Sequence, residues 1–208
     1  MRIGLISDIH ADADALKLAL DQLAGHGVDQ IICGGDIIGK GRQPDLAVEI
    51  IRARAIPTVV GNHDADAEAY QHMRMPPQIA KTSPLSDDAL AYLKQLPGTL
   101  RFEWAGKRIL LAHGTPNDCY EYAFFDNSQE FYYRMVKHAD ADVIILGHTH
   151  EPMRIKCKNT VIINPGSICG KIGHGSMSYG ILTLPEIQLD VYGVWDGQPV
   201  WVPSIEFS

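Results

Sequence analysis

The amino-acid sequence predicts an α/β fold built around parallel strands. Near the start of the chain, an aliphatic run, a polar loop and a stretch of helical periodicity follow one another three times. Within the first helical stretch, apolar residues recur at the i, i+3, i+4 and i+7 positions of one helix face. This alternation is typical of parallel strands with helices packed on the sheet. The strands are predicted at 2–6, 30–33 and 57–60, and the helices at 13–26, 44–54 and 64–73.

The remaining elements follow from caps, turns and apolar runs. Ser86 precedes a helix that reaches about residue 94, and Ala105-Gly106-Lys107 joins two runs that predict a hairpin. A further helix is predicted at 128–139 and strands at 100–104, 108–112, 143–146, 154–157, 160–163, 179–184, 187–193 and 200–202. No linker or repeat divides the chain, so we expect one domain spanning residues 1–208.

Composition excludes several classes of protein. The net charge is −7, whereas a protein that binds the nucleic-acid backbone in bulk shows a basic face. No run approaches the ~20 apolar residues that a membrane span needs. The apolar patch at the start of the chain is too short for a signal peptide. The four cysteines have no Cys-x-x-Cys spacing, so we expect reduced packing residues and a cytoplasmic protein.

Polar residues gather where the predicted strands end. Asp8 and His10 follow the first strand and Asp36 the second, and other polar side chains follow the later strands. Because the carboxyl ends of parallel strands share one edge of a sheet, these loops are expected to converge. The converging segments are Asp8-Ile9-His10, Gly35-Asp36, Gly61-Asn62-His63-Asp64, Ala112-His113-Gly114 and Gly147-His148-Thr149-His150.

The side chains in these loops suit divalent metal ions. Imidazole and carboxylate groups bind Zn²⁺, Mn²⁺, Fe²⁺, Co²⁺ or Ni²⁺, and the residue types do not select one of them. Seven candidate ligands are too many for one tetrahedral ion but suit two ions bridged by a carboxylate. The candidates are Asp8, His10, Asp36, Asn62, His113, His148 and His150.

The five segments, in this order and spacing, resemble the calcineurin-like metallophosphoesterase superfamily. Further segments at 85–88, 106–116 and 164–167 resemble its small bacterial and archaeal phosphodiesterase-like branch. The resemblance implies a β-sandwich of two mixed sheets flanked by helices, with a dinuclear metal site at one edge. The match runs along the whole chain.

The resemblance also implies a role for each site residue. Asp8, His10 and His150 would hold the first ion. Asn62, His113 and His148 would hold the second ion, and Asp36 would bridge the two. His63 would face the leaving group, Asp64 would orient His63, and Asn62 would help to stabilise phosphoryl charge. The chain departs from many relatives at 168–176, where Lys171 and His174 stand in place of an arginine-containing segment.

The implied activity is hydrolysis of a small phosphorylated substrate, with a phosphodiester favoured. A hydroxide bridging the two ions would attack phosphorus in line. The alternatives are a phosphomonoesterase, a nucleotide pyrophosphohydrolase, or a scaffold that binds proteins, as a retromer subunit of similar fold does. That subunit lacks several ligand histidines, whereas every ligand position is filled here.

Two further points stay open at the level of sequence. A homo-oligomer is possible. The aromatic residues between 120 and 133 are interpreted as packing residues, with a pocket wall or a dimer contact as the alternatives.

Overall fold

A computed structural model of the chain describes residues 1–72, 85–170 and 177–207 and has two mixed β-sheets flanked by helices. This is the fold class that the sequence predicted. The helices are α1 (Ala13–Gly25), α2 (Pro44–Ala53), α3 (Asn62–Ala65), α4 (Ala67–His72), α5 (Asp87–Leu93) and α6 (Gln129–Lys137). The strands are β1 (Arg2–Ile6), β2 (Gln30–Cys33), β3 (Thr99–Trp104), β4 (Lys107–Ala112), β5 (Val143–Ile145), β6 (Met153–Cys157), β7 (Thr160–Asn164), β8 (Ser178–Thr183), β9 (Gln188–Gly193) and β10 (Ser204–Phe207).

Each sheet contains a group of neighbouring parallel strands, and the carboxyl ends of both groups lie at the same edge of the molecule. The first sheet has the order β2-β1-β8-β9, and its β1 and β2 are parallel. The second sheet has the order β10-β6-β7-β5-β4-β3, and its β4, β5 and β7 are parallel. Antiparallel strands flank both parallel groups. The topology therefore brings the loops after β1, β2, β4 and β5 towards one place.

Three apolar clusters hold the layers together. The cluster between the sheets takes side chains from both, including Ile3 and Leu5 of β1 and Ile109 and Leu111 of β4. On the outer faces, α1, α2 and α5 pack against the first sheet, and α6 packs against the second. Leu110 points away from its neighbours into the α6 cluster, as the two-residue period of a strand requires. Among the described residues, no helix combines the length and apolar character needed to cross a membrane.

The prediction of a strand at 57–60 is wrong. The segment is extended, but it forms a single bridge, between Thr58 and Cys33. The amide of Cys33 donates to Pro57 O (2.9 Å) and the amide of Val59 donates to Cys33 O (3.2 Å). The next amide turns away from the sheet and donates to Pro97 O (2.9 Å). Pairing therefore stops after one residue.

Two further element predictions are corrected. The predicted strand at 200–202 is absent, and its neighbour β10 was missed. Pro199 and Pro203 bracket this stretch and lack the amide hydrogen that a ladder needs, so parallel pairing with β6 begins only at Ser204. The helix predicted at 64–73 is two short helices, α3 and α4, and Met73 lies outside the described residues. The other predicted elements are present, with ends that differ by one or two residues.

Candidate metal centre

Hydrogen bonds join the loops of the two sheets into one site. The amide of Asp8 donates to Gly35 O (3.0 Å) after β2, and the amide of Gly147 donates to His113 O (2.8 Å) after β4. The amide of His148 then crosses between the sheets to Asp8 Oδ2 (3.0 Å). All seven predicted ligands therefore come together, and all but Asn62 are buried.

The backbone at these loops is left-handed where the candidate ligands stand. Positive φ angles in residues other than glycine are uncommon and cost on the order of 1–3 kcal/mol each. Residues held in such conformations cluster at catalytic and ligand-binding sites. The candidate ligands with this conformation are Asp8 (54°), His10 (47°), Asp36 (54°), His148 (68°) and His150 (62°).

The first cluster surrounds one oxygen of Asp8. Its Oδ2 accepts from Ser7 Oγ (2.6 Å) and from the His148 amide, whereas its Oδ1 has no hydrogen-bond donor. That Oδ1 lies 3.2 Å from His150 Nε2 and 3.9 Å from His10 Nε2, and the two nitrogens are 3.0 Å apart. A fully buried carboxylate oxygen without a donor is costly unless something else neutralises it. A cation between these three atoms fits that requirement.

The second cluster contains His113, His148 and Asn62. His113 Nδ1 donates to Gly34 O (2.7 Å), so its Nε2 is free to face Asn62 Oδ1 at 3.2 Å. His148 Nε2 donates to Tyr120 O (3.2 Å), which leaves Nδ1 as its possible metal-binding atom. Fixing one ring nitrogen by a backbone carbonyl is the usual way in which proteins orient a metal-binding histidine.

Asp36 lies between the two clusters. Its Oδ2 is 3.6 Å from His10 Nε2 on one side and 3.4 Å from His113 Nε2 on the other. Its Oδ1 accepts a hydrogen bond from the His63 amide (2.9 Å). One carboxylate oxygen thus faces ligands of both proposed ions, as a bridging group must.

The protonation states of the site are strongly perturbed. Burial raises the pKa of Asp8, but the close His150 ring and the charges of the surrounding imidazoles outweigh burial and hold that pKa below its usual range. Burial lowers the pKa of His113, but the Asp36 carboxylate outweighs burial and raises that pKa to about 10. Burial lowers the pKa of His10 and of His148 to about 4. Asp8 and Asp36 are thus ionised and the His10 and His148 rings are neutral, as metal ligands must be, whereas the His113 ring is protonated and would release its proton on binding a metal ion.

His63 and Asp64 follow Asn62 at the start of α3. The His63 ring is half-buried and meets the His10 ring edge-on, with 4.8 Å between the ring centroids. Asp64 is buried and accepts from the amides of Ile38 and Gly61 (both 3.1 Å). Burial and the Asp36 charge raise the pKa of Asp64 to about 7. The carboxyl group of Asp64 therefore stabilises the loop through two backbone amides. That Asp64 orients His63 stays a prediction.

Glycine is required at position 61 for steric reasons. A Cβ atom there would stand 2.1 Å from Asp36 Oδ1 and 2.3 Å from the Asp36 amide nitrogen. This close approach lets the loop that carries Asn62 lie against Asp36.

The sequence interpretation missed two neighbours of the site. Cys169 is buried, and its sulfur lies within 4.8 Å of ligand atoms of His10 and His150. The Tyr122 ring stacks on the His148 ring, with 3.9 Å between the centroids, and is 51% exposed. The interpretation of the aromatic residues as packing is thus supported for buried Tyr132 but not for Tyr122. Lys171 and His174 lie outside the described residues.

The fold brings buried His and Asp side chains into groups that could hold a metal ion. The calcineurin-like phosphoesterase superfamily domain model matches residues 1–186, and the chain belongs to this superfamily. Protein MJ0912 of Methanocaldococcus jannaschii is 29% identical over 80% of this chain and 69% of its own length. Phosphodiesterase MJ0936 of the same organism is 24% identical over 88% of this chain and 92% of its own length.

Solved structures show the same fold. A metallophosphoesterase from Sphaerobacter thermophilus is 28% identical, with a TM-score of 0.70 over 92% of this chain and 86% of that one. Vps29 from Entamoeba histolytica, solved with Zn²⁺, is 21% identical, with a TM-score of 0.59 over 96% of each chain.

Proposed function

We propose that the chain is a dinuclear metal-dependent phosphoesterase that hydrolyses a small phosphodiester. The observation that carries the proposal is the position of Asp36 Oδ2 between the two ligand clusters, at 3.6 Å from His10 Nε2 and 3.4 Å from His113 Nε2. A single structural ion would need only one cluster, whereas hydrolysis of a phosphoester is a typical reaction of paired ions.

Each cluster would hold one ion. Asp8, His10 and His150 would bind the first, and Asn62, His113 and His148 the second, with Asp36 shared. When bound, the ions would supply an activated water molecule and positive charge that neutralises the phosphoryl oxygens. The unpaired Asp8 Oδ1 supports the first position, and the carbonyl-anchored rings of His113 and His148 support the second.

The chain's own residues would then position the substrate and move a proton. Asn62 belongs to the second cluster, and its Oδ1 faces His113 Nε2. Its Nδ2 would therefore donate to a phosphoryl oxygen. His63 would donate a proton to the leaving oxygen. Burial lowers the pKa of His63, while the Asp36 charge opposes that shift. The negative charge of a bound phosphoester would favour the protonated ring further.

The name of the relative MJ0936 supports a diester over a monoester. The exposed Tyr122 and Phe124 rings, parallel within 1° and 5.3 Å apart, offer an apolar surface next to His148 for an ester substituent. We further propose that β9 and β10, beyond the matched residues 1–186, complete the same domain. They extend the two sheets by pairing with β8 and β6.

Hydrolysis of bis-p-nitrophenyl phosphate and p-nitrophenyl phosphate, with added Mn²⁺, Ni²⁺ or Zn²⁺, tests the proposal. We expect faster turnover of the diester and two bound ions per chain. Faster turnover of the monoester, or of a nucleoside polyphosphate, would replace the diester with one of the alternatives. Protein that binds two ions but hydrolyses none of these substrates would favour the scaffold alternative instead.

A further inference from the structure

The segment after β7 lies directly against the loop that carries Asp8. The amide of Ile168 donates to Ser7 O (3.0 Å), and the amide of Cys169 donates to Asp8 O (3.2 Å). Ser167 Oγ also donates to Asp8 O (3.0 Å). These three hydrogen bonds place Cys169 beside the first ligand cluster, although it is more than 150 residues away in sequence from Asp8.

The Cys169 side chain points into this cluster. Its sulfur and the ligand atoms of His10 and His150 all lie within 4.8 Å of one another, and the residue is 8% exposed. The sulfur is 3.7 Å from Ser167 Oγ. The Ser167 hydroxyl already donates to Asp8 O, so the thiol is the donor in this contact. The sulfur lone pairs are therefore free.

An unpartnered carboxylate oxygen in the same cluster indicates a missing cation independently of the cysteine. Asp8 Oδ1, His10 Nδ1 and His150 Nδ1 are buried, and none has a hydrogen-bond partner. In the described part of the chain, no other buried side-chain nitrogen or oxygen lacks a hydrogen-bond partner. Two of the three belong to His10 and His150, whose ligand atoms lie within 4.8 Å of the Cys169 sulfur, and the third belongs to Asp8 of the same cluster.

We propose that the Cys169 thiolate is a further ligand of the ion held by Asp8, His10 and His150, and that it favours Zn²⁺ or Co²⁺ over Mn²⁺ there. The inference rests on the proposed metal centre. Thiolate sulfur is a soft donor that binds Zn²⁺ well, whereas Mn²⁺ prefers oxygen. Around a tetrahedral Zn²⁺, a nitrogen and a sulfur ligand stand about 3.6 Å apart. The sulfur therefore needs to approach by no more than about 1.2 Å.

Thiolate binding would balance the local charge. The Asp8 carboxylate and the Cys169 thiolate together carry two negative charges, which match a divalent ion, and the Asp36 carboxylate stays shared with the second position. A softer first position and a harder second one would let the chain hold two different ions. The other three cysteines belong to none of the potential metal-ligand groups among the described residues.

Titration of metal-free protein with Co²⁺ tests the proposal. Wild type is expected to develop a near-ultraviolet sulfur-to-cobalt charge-transfer band, and Cys169→Ser is expected to lack it. Cys157→Ser is the matched control, because Cys157 is also buried but packs in the α6 cluster. Competition between Zn²⁺ and Mn²⁺ should show a loss of Zn²⁺ preference on the order of tenfold or more in Cys169→Ser only.

A measurement on wild type keeps the test decisive if Cys169→Ser does not fold. X-ray absorption of the Zn²⁺-loaded protein should show a sulfur neighbour at about 2.3 Å. Zinc that is bound with nitrogen and oxygen neighbours alone would overturn the role of Cys169 and leave the metal centre standing. Protein that binds no ion by plasma mass spectrometry would overturn both proposals.

Discussion

The charge of Asp36 is shared between two sets of ligands, and this makes it the most informative single residue. Asp36→Asn keeps the shape of the side chain and an oxygen for the His63 amide, but it removes the negative charge between the clusters. We expect fewer than two ions per chain and a fall in metal affinity on the order of 10–100-fold. Metal analysis after gel filtration measures this. The exposed Asp14→Asn should bind as wild type does, and two tightly held ions in Asp36→Asn would disprove the bridging role.

His63 differs from its neighbours because its proposed role begins after the metals are in place. His63→Ala should keep both ions and lose about 10²–10⁴-fold in turnover, the range typical of a lost proton donor. The measurement pairs metal content with kcat for the diester. His138→Ala, at the exposed C-terminal end of α6, is the matched control. Loss of metal in His63→Ala would mean that His63 is a ligand rather than a proton donor.

Gly61 tests the close approach of two loops. In Gly61→Ala the new Cβ would overlap both Asp36 Oδ1 and the Asp36 amide nitrogen, so a shift of the Asp36 side chain alone would not relieve the overlap. We expect displaced Asp36 and weaker metal binding. In Gly98→Ala, the Cβ meets nothing within 4 Å, and neither glycine has a positive φ, so the two variants differ in this contact alone. Titration with Mn²⁺ should therefore separate them, and equal affinities would contradict the steric argument.

The sequence predicts the site residues that meet two conditions: the side chain can bind a metal ion, and the residue closely follows a predicted strand. Asp8, Asp36 and His113 satisfy both conditions. Cys169 satisfies only the first, because its place beside Asp8 depends on backbone hydrogen bonds between segments far apart in the sequence. The exposure of Tyr122 is likewise a property of the folded loop, since nothing in its composition distinguishes it from buried Tyr132.

Helix α6 shows how an element can be stabilised independently of the site. Ser128 Oγ accepts from the Phe131 amide (3.3 Å) and caps the helix, which packs on the outer face of the second sheet. Ser128→Ala should lower the free energy of unfolding by about 0.5–2 kcal/mol, while Ser128→Asp should retain most of it. Urea denaturation measures both. Diester turnover should be unchanged, and a loss of activity in Ser128→Ala would place α6 in contact with the site.

Elements with a strong apolar pattern and clear caps are predicted well. Ser86 caps α5 as the sequence indicates, and Asp12 caps α1 in the same way, each accepting from the amide three residues on. The segment at 57–60 is as aliphatic as β2, yet it pairs at one residue only. The Val60 amide donates to Pro97 O instead of to a strand, and no local sequence pattern reveals this contact.

At the scale of the whole molecule, the proposed ions would join the two sheets. Asp8, His10 and Asp36 follow strands of the first sheet, whereas His113, His148 and His150 follow strands of the second. An ion at 100 times its Kd stabilises the folded state by about 2.7 kcal/mol. For a chain of this size that corresponds to a rise in Tm of roughly 5–11 °C. Thermal unfolding with and without a chelator measures it, and Asp36→Asn should respond less. An unchanged Tm in wild type would argue against metal ligands from both sheets.

Metal binding would also change the electrostatic character of an acidic chain. The formal net charge of −7 includes two carboxylates that the proposal assigns to the ions. Two divalent ions would bring the chain to about −3 and make the site locally positive, because a bound ion is often the largest charge in its surroundings. A phosphate-binding site is therefore compatible with a composition that excludes a basic face.

The left-handed backbone at five candidate ligands has an evolutionary consequence. Glycine adopts positive φ without steric cost, whereas Asp and His adopt it at a steric cost at each of these positions. Keeping Asp and His there trades stability for coordination. In a descendant that no longer needed metal ions, selection would no longer maintain Asp and His at these positions. The first substitutions there would make the fold more robust, so loss of catalysis and conversion to a protein-binding role would be an easy path.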